Sequence, residues 1–402
     1  MGLHIAVIWQ RYLPYHWARV RHAHERLNSL GYRITAVEVA SQDASYSFPE
    51  DRSTTALEHI CCFPGVSYHD HKTRAIYQRV LGVLTELNPD VIFCPATAFP
   101  EGMAAQKYRL KHGKRVVMMD DAWEHTDRRG PFTRLVKRII HKNIEAIFIP
   151  APSHLPYFHS LRFPEDRMIF GVDVVDNEYY SVRADRARQN EAAIRQIRRL
   201  PEKYFLFVGR FLPRKGLDTL LSAYRRYREL AVGEPWALVL VGRGPYEKKL
   251  QEFMQNLDGV HLAGAQFGDD LCIYYALAKA FIAPSESDPW GLVVNEAMAS
   301  GVPVLVSRGC GCASPLVREA ENGWTFAPGN AQSLSALMFR ISLLAPETIE
   351  KMRRRSKELI DNWSLDRFTD GIIAALKIPR RPPAGNVADF LTNHWKGRVR
   401  ST

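Results

Sequence analysis

The sequence predicts an α/β protein built from two doubly wound domains, and three observations support that fold class. The chain has 402 residues, which is too long for one typical hydrophobic core. Short apolar runs without a helical period alternate with amphipathic helical segments through both halves. A polar, arginine-rich stretch after Tyr180 interrupts this alternation before a new strand begins. We therefore expect two parallel sheets, with ligands at the carboxyl ends of their strands.

The first half begins with the apolar run His4–Ile8, which predicts a buried central strand. The helical segment 18–30 follows it and stops at Gly31. Further strands are expected at residues 34–37, 91–94, 115–119 and 146–149. No glycine lies between Trp9 and Trp17, so no backbone there can approach a pyrophosphate closely. A dinucleotide-binding site is therefore not expected in this half.

Charge and cysteine usage restrict the class of protein. The formal net charge is +11, which indicates an anionic partner; a nucleic acid, a phosphorylated substrate and an anionic membrane surface all satisfy it. The six cysteines show no C-x2-C spacing and are expected to be free thiols in a reducing compartment. The N-terminus has neither a signal sequence nor a long uncharged apolar run. We expect a cytoplasmic protein.

Polar residues follow the strand expected at 115–119 and are predicted to enter a ligand cleft. Asp120 lies at the strand end and His125 follows five residues later, which makes both candidate site residues. Asp120 and Asp121 could also begin a metal-binding motif. Adjacent side chains at a strand end diverge, however, and the sequence offers no third ligand. We expect no metal.

An acidic stretch in the second half carries the strongest functional signal. The apolar run 280–283 predicts a strand, Asp288 lies in the loop after it, and a helix is expected from about Gly291. Seven residues separate Asp288 from Glu296, which lies about two turns into that helix. Carboxylates there can accept hydrogen bonds from sugar hydroxyls, and the first N–H groups of the helix can bind a phosphate.

Two motifs resemble those of retaining glycosyltransferases of family 4. The stretch Asp288-Pro-Trp-Gly-Leu-Val-Val-Asn-Glu296-Ala-Met-Ala resembles the donor-binding E-x7-E segment of that family, with Asp288 where the family usually has Glu. The stretch Val-Gly209-Arg210-x4-Lys215-Gly resembles its phosphate-binding Arg/Lys pair. The resemblance is dense between Tyr204 and Phe326 and thin in the first half. It implies the GT-B architecture, in which two Rossmann-like domains face a cleft.

The resemblance also implies a role for each site residue. Arg210 and Lys215 would hold the donor diphosphate, Glu296 the ribose hydroxyls and Asp288 the transferred sugar. The remaining donor-side residues are Gly209, the backbone N–H groups of Gly291, Leu292 and Val293, and Arg243, which either contacts the base or is exposed. His125 is the nearest candidate for a histidine that the family places close to the donor sugar. His16, with Tyr15, lines the acceptor side or belongs to the packing.

The resemblance and the composition together give the domain boundaries. The expected parts are an acceptor-side domain over residues 1–178, a linker over 179–200, a donor-binding domain over 201–362, a helix over 363–378 that crosses back to the first domain, and a basic tail over 379–402. The Asn-Gly pair at residues 322–323 matches a hairpin signal of the family. The tail is expected to be loosely ordered or to contact a membrane.

A basic amphipathic segment in the first half allows two interpretations. Arg128, Arg129 and the helix expected over 132–142 combine an apolar face with the basic residues Arg134, Lys137, Arg138 and Lys142. The segment is either a core-facing helix with a solvated basic side or a peripheral contact with anionic lipid on the inner face of a membrane.

The sequence and the resemblance thus predict a hexosyltransferase that uses a nucleotide-diphosphate-sugar donor and retains the anomeric configuration. Its acceptor is expected to be a glycan, a lipid-linked sugar or a small molecule, and no cofactor is expected. Three alternatives remain. The chain could be a non-catalytic nucleotide-sugar-binding subunit, because Asp288 departs from the usual motif. It could be a sugar phosphorylase or epimerase of the same fold. A nucleic-acid binder would satisfy the charge, but the sequence contains no nucleic-acid-binding module.

Overall fold

The computed structural model describes residues 2–42, 56–127, 129–255, 257–382 and 384–399. The chain divides into two compact units, one of Met1–Val174 with Leu365–Thr402 and one of Val175–Ser364. Each unit contains one parallel sheet and its own helices. The prediction of two doubly wound α/β domains is confirmed.

Both sheets have the strand order of a doubly wound fold. The first unit contains β1 (His4–Trp9), β2 (Arg33–Gln42), β3 (Glu58–Ser67), β4 (Val91–Pro95), β5 (Arg115–Met119), β6 (Ala146–Ile149) and β7 (Met168–Phe170), in the order β3-β2-β1-β4-β5-β6-β7. The second contains β8 (Tyr204–Val208), β9 (Ala237–Val241), β10 (Val260–Gly264), β11 (Ala280–Ala283), β12 (Val304–Ser307) and β13 (Gly323–Phe326), in the order β10-β9-β8-β11-β12-β13. The order reverses between β1 and β4 in the first sheet and between β8 and β11 in the second. Ligands bind at such switch points, outside the carboxyl ends of the strands.

The helices cover these sheets. Those of the first unit are α1 (Pro14–Asn28), α2 (Thr73–Leu87), α3 (Pro100–His112), α4 (Pro131–Ile140), α5 (Leu155–Ser160), α15 (Leu365–Lys377) and α16 (Asn386–His394). Those of the second are α6 (Asn177–Gln189), α7 (Glu191–Arg198), α8 (Leu217–Leu230), α9 (Glu247–Met254), α10 (Gly268–Leu277), α11 (Leu292–Ala299), α12 (Ala313–Leu316), α13 (Ala331–Ser342) and α14 (Pro346–Ile360). No helix among the described residues is long and apolar enough to cross a bilayer. All six cysteines are free thiols.

The prediction of a hairpin at the Asn-Gly pair, residues 322–323, is wrong. Gly323 instead begins β13, which pairs in parallel with β12. A Cβ atom on Gly323 would lie 1.8 Å from the carbonyl oxygen of Val304. The glycine is therefore required by the close approach of two strands and not by a turn. The stretch 179–200, expected as a linker, contains most of α6 and all of α7 in the second unit.

The C-terminal tail is packed against the first unit, which corrects the expectation of a loosely ordered segment. The amide of Ala384 donates to Asn143 Oδ1 at 3.2 Å, and Asn143 Nδ2 donates to Asp389 Oδ1 at 2.9 Å. Farther along, the amide of Arg398 donates to the carbonyl oxygen of Ala98 at 2.8 Å. Apolar residues of the tail complete the core, because Trp395 packs against the cluster that underlies β1 and β4.

Helix α4 differs in two respects from the predicted amphipathic pattern, whose apolar face comprised Leu135, Val136, Ile139 and Ile140. Val136 and Ile140 are buried, but Lys137 is buried too, with its Nζ 3.0 Å from the hydroxyl of Tyr157, and Leu135 is exposed. Lys137 therefore does not belong to the solvated basic side. Phe132 and Leu135 are 75% and 51% exposed, which leaves apolar surface on the outer side of the helix. Arg128 lies outside the described residues.

Candidate functional site

The switch point of the second sheet brings together two of the segments that the sequence singled out. Strand β8 ends at Val208 and is followed by Gly209 and Arg210, while β11 ends at Ala283 and leads to Asp288. These strands are neighbours in the sheet. The loops that follow them therefore leave the sheet side by side at its carboxyl edge.

Gly216 fixes the approach of the first loop to the second. After β8 the chain makes a single 3₁₀ turn, Pro213–Lys215, and Gly216 follows it with φ of +71°. A Cβ atom on Gly216 would lie 2.0 Å from the carbonyl oxygen of Pro284. Only glycine allows both this left-handed conformation and this contact. The amide of Glu286 also donates to the carbonyl oxygen of Arg214 at 2.9 Å.

This contact places Lys215 against Asp288. Lys215 Nζ lies 2.5 Å from Asp288 Oδ2, and the two side chains are 17% and 11% exposed. Backbone hydrogen bonds hold Asp288 in place, because its amide donates to the carbonyl oxygen of Gly309 at 2.9 Å and its own carbonyl accepts from the amide of Gly311 at 3.0 Å. The result is a partly shielded ion pair. Its ammonium group can bind an anion, and its carboxylate can accept a hydrogen bond from a hydroxyl group.

The N-terminus of α11 lies directly after Asp288. Gly291 has φ of +103° and precedes the first helical residue, Leu292. An ideal Cβ atom on Gly291 would lie 3.8 Å from Asp288 Oδ2, so the helix start and the carboxylate are adjacent. The first N–H groups of a helix have no partner inside the helix and carry partial positive charge. The amides of Gly291, Leu292 and Val293 therefore lie where the sequence predicted an anion site.

Glu296 lies in the same helix and is buried. The hydroxyl of Tyr275 donates to Glu296 Oε2 at 2.8 Å, and Tyr180 lies near the same carboxyl group. Burial raises the pKa of Glu296 to about 7, although both tyrosines act in the opposite direction. The carboxyl group is thus close to half ionised near neutral pH. It can accept a hydrogen bond from a ligand hydroxyl when it is ionised.

Three donor-side predictions concern the ends of β8 and β9. The amide of Gly209 donates to the carbonyl oxygen of Val241 at 3.0 Å, and a Cβ atom on Gly242 would lie 1.9 Å from the carbonyl oxygen of Gly209. Arg210 is half-buried at the strand end. The side chain of Arg243 is exposed, while its carbonyl oxygen accepts from the amide of Phe211 at 2.8 Å. A contact between Arg243 and the base stays a prediction.

The remaining candidates all belong to the first unit; they are the acceptor-side residues Asp120 and His16 and His125, which was predicted close to the donor sugar. Asp120, directly after β5, is buried and accepts a hydrogen bond from the amide of Ala122 through Oδ1 at 3.0 Å. Among the described residues its other oxygen, Oδ2, has no hydrogen-bond partner. His125 is exposed in the short turn Glu124–Thr126 and packs against Trp123 with 4.3 Å between ring centroids.

His16 lies in the first turn of α1 and participates in local packing. Its ring stacks on Trp9 at 4.4 Å, and its Nδ1 lies 3.2 Å from the amide nitrogen of Leu13. Burial holds the pKa of His16 well below its usual range, so the ring is neutral at pH 7. Tyr15 packs edge-on against His16 at 4.4 Å. A role in acceptor binding stays a prediction for both residues.

Sequence reasoning missed three further residues, of which Tyr275 and Glu101 are buried and Tyr180 is half-buried. Tyr275 and Tyr180 lie beside Glu296. The third is Glu101 at the start of α3, which accepts a hydrogen bond from Tyr68 at 3.1 Å and whose pKa burial raises to about 7. No sequence pattern separates such residues from ordinary core or helix-surface positions. Among the described residues, no group of three or more His, Cys, Asp or Glu side chains is placed to hold a metal ion.

Comparison with known proteins gives a family match for the second half. Residues 189–359 match the family described as Glycosyl transferases group 1. A sulfoquinovosyl transferase, SQD2, of Arabidopsis thaliana is 33% identical over 192 residues, covering 47% of this chain and 36% of the relative. A GDP-mannose-dependent alpha-(1-6)-phosphatidylinositol monomannoside mannosyltransferase of Mycobacterium tuberculosis H37Rv is 25% identical over 334 residues, covering 79% of this chain and 75% of the relative.

Solved structures match along nearly the whole chain. A sucrose-phosphate synthase of Thermosynechococcus elongatus has a TM-score of 0.69 at 19% identity, covering 94% of this chain and 98% of that one. WaaG, a glycosyltransferase of lipopolysaccharide biosynthesis, has a TM-score of 0.65 at 16% identity, covering 92% and 99%. At these identities the matches establish the fold, and they confirm the predicted GT-B class. The chain spans about a third of the plant relative's length and three quarters of the mycobacterial relative's.

Proposed function

We propose that this chain, whose residues 189–359 form a Glycosyl transferases group 1 domain, is a hexosyltransferase that uses a nucleotide-diphosphate-sugar donor and retains the anomeric configuration. The domain and its relatives named glycosyltransferases support an enzyme of this class. The observation that carries the donor assignment is the Lys215–Asp288 pair beside the N-terminus of α11. The residues also follow the family 4 pattern, with Asp288 and Glu296 in the two acidic positions.

The chemistry requires positive charge at the diphosphate, because cleavage of the bond to the sugar leaves that group with additional negative charge. Lys215 and Arg210 supply the charge from the loop after β8, and the first amides of α11 add hydrogen-bond donors. In the structure, Lys215 is paired with Asp288. A phosphate oxygen that takes over the ammonium group releases Asp288 to accept a hydrogen bond from the transferred sugar.

Glu296 completes the proposed donor site as an acceptor for ribose hydroxyl groups. Support comes from its place in α11, about one and a half turns after Gly291, and from its buried carboxyl group, whose ionised form only accepts hydrogen bonds. A fold neighbour from Anabaena is described in complex with UDP and glucose, at 14% identity and a TM-score of 0.71. That neighbour supports a nucleotide-sugar ligand without identifying the nucleotide used here.

For the acceptor we propose a lipid-linked or glycan hydroxyl, reached at the inner face of an anionic membrane. Support comes from the mycobacterial relative, whose name specifies a phosphatidylinositol mannoside acceptor. Helix α4 adds a surface, since Phe132 and Leu135 are exposed beside Arg134 and Arg138. Basic residues near an anionic surface contribute roughly 1 kcal/mol each.

Flotation with vesicles tests the membrane contact. We expect the protein to float with phosphatidylglycerol-containing vesicles and not with pure phosphatidylcholine, and the variant Phe132→Ser/Leu135→Ser to lose flotation. Its matched control is Ile197→Ser/Val232→Ser, which removes two side chains that are 78% and 81% exposed in the second unit. Equal flotation on both vesicle types would contradict the membrane contact and leave the donor assignment untouched.

Donor turnover tests the function itself. Thermal-shift measurements with nucleoside diphosphates and their sugars select the nucleotide, and release of nucleoside diphosphate from the matching sugar donor then measures turnover. A non-catalytic subunit would bind the nucleotide without turnover, and a phosphorylase would require inorganic phosphate as co-substrate. Release that occurs without added phosphate, with an anomerically retained product, is the expected result. Absence of binding by every nucleotide sugar would contradict the proposal.

A further inference from the structure

The carboxyl group of Glu296 lies beside tyrosines from two other helices. Tyr275 of α10 donates to Oε2 at 2.8 Å, and Tyr180 of α6 packs against Tyr275 close to the same carboxyl group. The two tyrosine rings lie edge to face, with 6.2 Å between centroids. Neither tyrosine belongs to the loops that carry Lys215 and Asp288. They form a separate layer behind the carboxyl group.

The direction of these hydrogen bonds has a chemical consequence. An ionised carboxylate accepts hydrogen bonds only, so a hydroxyl group that bonds to it, as that of Tyr275 does, acts as the donor. Donors stabilise the ionised form, whereas burial in an apolar environment disfavours it. Burial is the larger effect at Glu296 and raises its pKa to about 7. Near neutral pH, the fraction of ionised Glu296 therefore depends on the two tyrosines.

The other titratable groups beside Glu296 do not control its ionisation near neutral pH. Cys272, also on α10, is electrostatically coupled to Glu296, but burial raises the pKa of its thiol to about 12. It is therefore neutral at pH 7. Burial likewise holds the pKa of both tyrosines well above the usual range, so they keep the protons that they donate.

The helices that carry the tyrosines are fixed by contacts of their own. The side chain of Asp176 caps α6 by accepting from the amide of Tyr179 at 2.9 Å. Asn177 Nδ2 donates to the carbonyl oxygen of Ile360 at 2.9 Å, which ties the same end of α6 to the end of α14. Arg188, at the other end of α6, donates to the carbonyl oxygen of Ala276 in α10 at 3.1 Å. These contacts hold the helices that carry the two tyrosines in position.

We propose that Tyr180 and Tyr275 are positioning residues whose hydroxyl groups fix the carboxylate of Glu296 as the acceptor for the hydroxyl groups of a nucleoside diphosphate donor. The inference rests on the proposed function for the identity of the donor. The contact of Tyr275 with Glu296 does not depend on the identity of the donor. Loss of either hydroxyl is expected to leave the fold intact and to make Glu296 harder to ionise.

The first test needs no ligand. In protein labelled with ¹³C-glutamate, the carboxyl resonance of Glu296, assigned with Glu296→Gln, is followed against pH in wild type, Tyr180→Phe and Tyr275→Phe. We expect a higher pKa of Glu296 in both variants. The control is Tyr224→Phe, which removes a buried hydroxyl that donates at 3.1 Å to the carbonyl oxygen of Trp236, away from α11. An unchanged pKa of Glu296 in both test variants would overturn the proposal.

The second test measures binding of UDP and GDP by calorimetry between about pH 6 and about pH 9. Tyr275→Phe is expected to weaken binding of the preferred nucleotide about tenfold at pH 7, because a hydrogen bond to a charged group is lost. Affinity should recover at the alkaline end, where Glu296 is ionised in every variant. A uniform loss at all pH values would indicate a merely structural effect and overturn the proposal. If wild type binds neither nucleotide while the first test succeeds, the proposed function fails and the tyrosine–glutamate pairing stands.

Discussion

Lys215 Nζ lies 2.5 Å from Asp288 Oδ2, and this pair joins the loop after β8 to the loop after β11. Both side chains are mostly shielded from solvent. Removal of one partner leaves the other charge poorly solvated, which costs more than the loss of an exposed ion pair. The pair therefore links the stability of the second unit to its proposed phosphate site.

We predict that Lys215→Met lowers donor turnover by about two orders of magnitude, because a cation at the leaving group can stabilise the transition state by several kcal/mol. The same variant should have a lower melting temperature, since Asp288 loses its partner. The double variant Lys215→Met/Asp288→Asn should regain most of that stability without regaining turnover. Calorimetric unfolding and nucleoside diphosphate release measure the two effects. Recovery of turnover in the double variant would contradict the assignment of Lys215.

Glu296→Gln is predicted to separate function from stability in a different way. The amide oxygen can still accept the hydrogen bond from Tyr275, and no carboxylate has to be buried. We expect turnover to fall by about two orders of magnitude, while the melting temperature at about pH 8 is maintained or raised. Near-normal turnover would show that Glu296 does not contact the donor. A lower melting temperature would instead contradict the account of its burial.

Glu101 gives a pH-dependent prediction for the first unit. Burial raises its pKa in the folded protein to about 7, above the value of 4.5 for an unperturbed glutamate. The folded state therefore binds this proton more tightly than the unfolded state does. The stability that the protonated group contributes is fully present below about pH 4.5 and is lost as the pH rises to about 7.

Glu101→Gln should accordingly raise the free energy of unfolding at pH 8 by roughly 1–3 kcal/mol and change it little at pH 4. The glutamine oxygen can keep the hydrogen bond from Tyr68. Urea unfolding at the two pH values measures the difference. Glu229→Gln, at an exposed position of α8, is the control and should show no such pH dependence. Equal effects of Glu101→Gln at both pH values would contradict the prediction.

The parts of the fold that the sequence predicted are those with strong local patterns. Central strands such as β1 and β11 read as uninterrupted apolar runs because both of their faces are buried. The edge strand β3 and the three-residue strand β7 were not predicted, because an exposed strand and a very short strand lack an uninterrupted apolar run. The tail was misread because its backbone amides bind partners far away in the sequence, such as Asn143 and Ala98.

The candidate site likewise divides into residues that a local motif predicts and residues that only the tertiary fold brings together. Lys215 and Asp288 were predicted because a motif fixes their spacing from glycine and from the start of a helix. Tyr180 and Tyr275 were not predicted as site residues, because they reach Glu296 from two different helices and only the tertiary fold brings the three together. Gly323 was assigned to a turn from its dipeptide alone, while a close strand–strand contact is what requires it. Contacts between distant segments are thus the main information that local patterns lack.

Gly216 provides the last prediction, because its two constraints can be separated by a matched control. Gly216 and Gly233 have similar left-handed backbones, with φ of +71° and +80°. An added Cβ atom meets the carbonyl oxygen of Pro284 at 2.0 Å in the first case and no atom within 4 Å in the second. Gly233→Ala therefore measures the cost of the backbone conformation alone, of order 1 kcal/mol.

Gly216→Ala should be more destabilising than Gly233→Ala, because the loop after β8 must move away from the loop after β11. That movement separates Lys215 from Asp288, so turnover should fall as well, whereas Gly233→Ala should leave turnover unchanged. Urea unfolding and nucleoside diphosphate release distinguish the two variants. Equal destabilisation by both substitutions would mean that the backbone conformation, and not the contact with Pro284, accounts for the glycine at 216.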